Sequence, residues 1–148
     1  METVSSNKAK MLGGNFALLF VGVGIASSAC FSGVLHMAFE SVWHFIAAGL
    51  IIPTAIFKLG QQVGLRVYVD REEPIVVGIM HAVLCLGLFA SLIFAVDAWV
   101  LEESLMEAEV LIKLGTRALR TMILGLVPTI ALGAIFGAHL GLRDIAEE

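Results

Sequence analysis

The chain has 148 residues, 59% hydrophobic and 15% charged, with a net charge of −4 and a mean hydropathy of +0.95. A soluble domain is about 45–50% apolar and about 25% charged, so the composition excludes an ordinary soluble globule and fits one membrane domain. No basic cluster points to nucleic acid, and two cysteines, Cys30 and Cys85, are too few for a disulfide framework.

Spanning a bilayer takes roughly 20 apolar residues. Four stretches qualify: 13–35, 42–65, 74–100 and 121–142. The expected fold is an all-α integral membrane protein, a single four-helix transmembrane domain over 1–148. A charged amphipathic insert at 100–120 precedes the fourth helix. The first apolar run follows Lys8 and Lys10 and contains the small-residue stretch Ala26 to Cys30. It is longer than the 7–15 residues of a signal-peptide core, so it is expected to remain as a span.

Helix 1 carries Gly22/Ala26 and Gly24/Ser28, small residues four apart that let helix backbones approach in a membrane. Helix 2 repeats the spacing at Gly60 and Gly64, and helix 4 extends it through Gly133, Gly137 and Gly141. These faces either pack inside the bundle or form an oligomer interface. Pro53 and Pro128 lie within helices 2 and 4, where proline removes a backbone hydrogen bond and kinks the helix. Thr54 and Thr129 follow them and are placed to satisfy the freed carbonyls. Pro74, behind Glu72 and Glu73, simply opens helix 3.

Short matches suggest two parallel helical-hairpin repeats. Trp43 and Trp99 are offset by 56, Val23-Gly24-Ile25 and Val77-Gly78-Ile79 by 54, and Gly64-Leu65-Arg66 and Gly141-Leu142-Arg143 by 77. The difference places about 21 extra residues in the insert. That insert begins with Glu102, Glu103, Glu107 and Glu109 and ends with Lys113, Arg117 and Arg120, a charge order that suits a helix dipole. It is expected to lie in the interface or to prolong helix 3. Lys8, Lys10, Lys58, Arg66, Arg71 and Arg143 fall on one side and three basic residues on the other. The rule that lysine and arginine stay inside then puts both termini in the cytoplasm of a multi-pass cell-membrane (inner/plasma) protein.

Ionisable groups inside a membrane are costly and mark functional candidates. His81, Asp97, Cys85 and His139 are the polar intramembrane candidates. His81 and Cys85 share a helix face, with Met80 alongside, a set that suits a soft metal ion or a hydrogen-bonded bundle histidine. One histidine per helix, His36, His44, His81 and His139, is also what bis-histidine ligation of two b-type haems needs. No HExxH, CxxC, phosphate loop or nucleophile elbow occurs, and no enzyme is expected. Three roles follow: a homo-oligomeric channel- or transporter-like protein for a small ion or solute, needing no cofactor; a di-haem electron carrier; or a non-catalytic accessory subunit of a larger membrane complex.

Overall fold

The computed structural model describes residues 2–32, 42–100 and 107–142. His36, Arg143 and the acidic start of the insert, Glu102 and Glu103, lie outside them. The described residues are helical except at the turns. They form α1 (Glu2–Ser32), α2 (Val42–Ile46), a π-helical turn (Ala47–Ile51), α3 (Ile52–Tyr68), α4 (Pro74–Val100) and α5 (Ala108–Gly141). Because α2, the π turn and α3 follow without a gap, four helical rods result.

Helix α1 begins well before the expected residue 13. Residues 2–12 contain no glycine or proline and are mostly tolerant of helix, and Ala9 is fully buried against α3. The break expected at Pro53 takes a specific form. Proline donates no hydrogen bond to the carbonyl four residues back. The preceding backbone widens into the π turn, and Pro53 falls in the first positions of α3, where a missing N–H costs little. Thr54 is exposed.

Between α3 and α4 the chain reverses at 69–73. The Val69 and Asp70 N–H groups donate to the Leu65 carbonyl, and Arg66 pairs with Glu72 at 2.7 Å. Arg71 takes a left-handed φ of 53°, which costs a non-glycine residue roughly 1 kcal/mol.

Within the 100–120 insert, the described residues 108–120 are not an element of their own. Residues 108–120 are the opening turns of α5, which runs unbroken for 34 residues with Pro128 inside it. Glu107, with extended backbone, marks its start. At 1.5 Å per residue α5 is about 51 Å long against a hydrocarbon layer of about 30 Å.

The rods form a square in which each neighbour is antiparallel: α3 beside α1, α1 beside α5, α5 beside α4, and α4 closing on α3. Two glycine seams set the closest approaches. On one, Ala9, Gly13 and Ala17 of α1 lie against Gly60 and Gly64 of α3. On the other, Pro74, Gly78 and Ala82 of α4 lie against Gly133 and Gly137 of α5, with Gly141 against Pro74. A β-carbon at Gly13 would overlap the Gly60 carbonyl, and one at Gly78 the Gly133 carbonyl, so backbone meets backbone at both. The seams correspond at offsets of 65 between the first members (78 against 13) and 73 between the second (137 against 64). Those values differ from the 54–56 and 77 of the sequence matches, because the matched Gly24 contacts Thr129 and takes no part in a seam.

Val21, Ile25, Ile56, Leu86, Phe89, Ile93, Phe136 and Leu140 fill the interior. The outer faces are apolar as well, with Leu19, Val76, Met80, Ile112, Ile123 and Val127 all more than half exposed. Three helical stretches, Ser6–Cys30, Pro74–Trp99 and Ala108–Gly141, are long and apolar enough to cross a membrane.

Candidate functional site

The polar groups inside this apolar bundle gather mainly along α5. Asp97, in the last turn of α4 and 1% exposed, receives a hydrogen bond from Arg117 Nη1 at 3.2 Å. The Arg117 side chain is 40% exposed and bridges interior and surface. One turn further along α5, Thr121 donates its hydroxyl to the Arg117 carbonyl at 3.1 Å. The Thr121 carbonyl accepts from Ser28 of α1 at 3.3 Å. Ser28 fits there because Gly125 has no side chain: a β-carbon on Gly125 would collide with the serine.

Two turns beyond Thr121 is Thr129, fully buried against Gly24 of α1, with no hydrogen-bond partner for its hydroxyl. The expectation that Thr129 satisfies a carbonyl freed by Pro128 is therefore not met. At the other end of α5, the His139 ring packs on Phe16 at 4.5 Å and Phe20 at 5.6 Å, and its Nε2 is buried without a partner. Beside it the Tyr68 hydroxyl donates to the Leu140 carbonyl at 2.8 Å.

His81 and Cys85 share a face of α4 as their spacing requires, with Sγ 3.6 and 3.9 Å from the two ring nitrogens. Phe136 packs on the His81 ring at 5.7 Å. Met80 points to the outside, 55% exposed, and cannot join them. Among the described residues no group of three His, Cys, Asp or Glu side chains could hold a metal ion.

Of the four histidines expected for haem, the side chains of two, His81 and His139, are described. His81 lies against Phe136 and Cys85, His139 against Phe16 and Phe20, with no neighbour in common. The His81 and His139 rings therefore pack in separate aromatic surroundings and are not brought together as a pair of axial ligands. His44 lies on α2 with its side chain outside the described set.

Of the glycines, Gly60, Gly64, Gly133, Gly137 and Gly141 face neighbouring helices of the same chain, and Gly24 accommodates Thr129. Gly22 has nothing within 4 Å of its missing side chain. Thr121 and Tyr68 have no place in the sequence-based expectations, and Arg117 and Ser28 appear there only in the charged insert and in a small-residue pair. The available signal was the solitary aspartate at the end of an apolar run, which calls for a cation nearby.

Helical rods with apolar outer faces, three of them long and apolar enough to cross a bilayer, fit a helical membrane protein as the class. The chain matches no protein-family model, no curated protein and no solved structure.

Proposed function

We propose that this is a non-enzymatic, four-span protein of the cell membrane with a channel- or transporter-like role for a small ion or solute, assembled as a homo-oligomer. The fourth span is the continuous helical path over 42–68, whose length suffices for a bilayer. The observation that carries the transport reading is the Asp97–Arg117 pair. A carboxylate 1% exposed among apolar helices is expensive and marks an ion or substrate path by default. The π turn before Pro53 is a helix interruption of the kind that transport proteins place around such paths, whereas α5 runs through Pro128 without a break. The excess of lysine and arginine at the end bearing Lys8, Arg66 and Arg71 supports cytoplasmic termini.

The test is reconstitution into liposomes holding a pH-sensitive dye, with imposed proton, sodium, potassium and chloride gradients. The wild type is expected to dissipate at least one gradient, and Asp97→Asn and Arg117→Gln to abolish that flux. If both variants leave every flux unchanged, the reading fails.

A second reading, an accessory subunit of a larger complex, is favoured by one observation. Gly22, Gly87 and Gly115 have nothing within 4 Å of their missing side chains, so they present small-residue surfaces that this chain does not fill. Co-purification of a stoichiometric partner supports it, and a homogeneous homo-oligomer counts against it.

A further inference from the structure

The outer face of α5 changes character along its length. Lys113, Arg117 and Arg120 recur at the four- and three-residue spacings that align side chains on one helix face. Ile123, Leu124 and Val127 continue the same face at three, four and seven residues beyond Arg120, exposed by 62, 41 and 75%. A basic head stands above an apolar tail.

The bilayer level of this head can be placed from its neighbours. Trp43 and Trp99 stack at 5.6 Å and are both more than half exposed, as expected of aromatic residues at a membrane–water boundary. Asp97 is two residues inside Trp99, and Arg117 is at its level through their hydrogen bond. Arg120 is three residues further inward, about 4.5 Å deeper. Lys113 is about 6 Å further out than Arg117. The two exposed cations therefore bracket the headgroup layer.

Helical side chains lean toward the helix N-terminus, which for α5 is the end at this boundary. Arg120 thus extends its guanidinium outward along the helix, away from the hydrocarbon and toward Lys113. Among the described residues, neither Lys113 nor Arg120 has an ion-pair partner, while Arg117 is engaged by Asp97. Glu109, four residues before Lys113, forms no ion pair with it. Among the described residues, these two cations have no anion at the depth where lipid phosphates lie.

We infer that Lys113 and Arg120 bind the headgroup of an anionic phospholipid, whose acyl chain runs down α5 along Leu124 and Val127. The apolar continuation of the stripe selects a lipid over a free phosphate. The inference rests on the bilayer placement of α5 and not on the transport reading, so flux and lipid binding can fail separately.

Native mass spectrometry of the full chain in detergent, offered phosphatidylglycerol, phosphatidylcholine or inorganic phosphate, tests it. Phosphatidylglycerol should be retained in preference to phosphatidylcholine. The Lys113→Gln/Arg120→Gln double variant should lower that retention about tenfold, since each basic residue near an anionic surface contributes measurably. Lys58→Gln, which removes an exposed basic residue on α3, should leave it unchanged. Helical circular dichroism on each variant separates loss of binding from loss of fold. Equal retention of the two lipids, unchanged retention in the folded double variant, or displacement of phosphatidylglycerol by inorganic phosphate would each overturn the assignment.

Discussion

Asp97 and Arg117 illustrate how a charge is kept inside an apolar bundle. The carboxylate is enclosed, while its partner remains partly in contact with the surroundings, so the desolvation cost falls mainly on one member of the pair. Thr129 is the opposite case, a buried hydroxyl without a partner. Such a group costs about 1–3 kcal/mol relative to a satisfied one. Thr129→Val keeps the branched shape and removes the unmet donor. It should raise the unfolding midpoint in detergent, by about 1 kcal/mol of stability, and a lowered midpoint would show that the hydroxyl has a structural role. At this scale Asp97, His81, Cys85 and His139 were legible in the sequence, because polar side chains in apolar runs stand out. Arg117 was not, since twenty residues separate it from Asp97 and it sits among other charges. Ser28 and Thr121 look like ordinary small residues until α1 and α5 are brought together.

At the scale of elements, backbone contact holds the hairpins together. Gly78 has the Gly133 carbonyl and the Gly137 backbone where a β-carbon would go, whereas Gly22 faces open space. Replacing each with alanine separates the two situations. Gly78→Ala should cost about 1–3 kcal/mol through overpacking, and Gly22→Ala close to nothing, both read from thermal unfolding in detergent. Equal effects would show that the seam is not what brings the helices close. The glycine spacing was readable in advance, but its partners were not. A stripe of small residues looks the same whether it meets a helix of its own chain or of another. The boundary of the charged insert was illegible for a related reason. Its leucines and charges satisfy a helix of any parentage, and only the unbroken backbone of α5 assigns residues 108–120 to the fourth rod. Both prolines announced an interruption, yet one coincides with a π turn and the other sits inside a continuous helix.

For the molecule as a whole, antiparallel packing of four rods puts the start of α1 and the end of α5 at one end of the bundle and the start of α5 at the other. Cysteine labelling with a membrane-impermeant maleimide reads this arrangement, on a background in which Cys30 and Cys85 are replaced. Lys8→Cys and Leu142→Cys should react from the same side of oriented vesicles, and Glu109→Cys from the opposite side. Reaction of Lys8→Cys and Leu142→Cys from opposite sides would rule out an even number of crossings. The all-helical, membrane-suited character was fully visible in composition and run lengths. The order of the rods was not, because α1 and α4 are apolar on nearly all sides and no stripe on them distinguishes core from lipid.

The two tryptophans are the only ones in the chain, and they stack on each other where α2 meets the end of α4. Indole emission from this protein therefore comes from a single location, beside the buried carboxylate and its arginine. Any event that parts α2 from α4 changes the coupling between the two indoles, while motion at the distant His139 end leaves that coupling unchanged. The native chain thus carries its own unlabelled gauge of one end of the bundle.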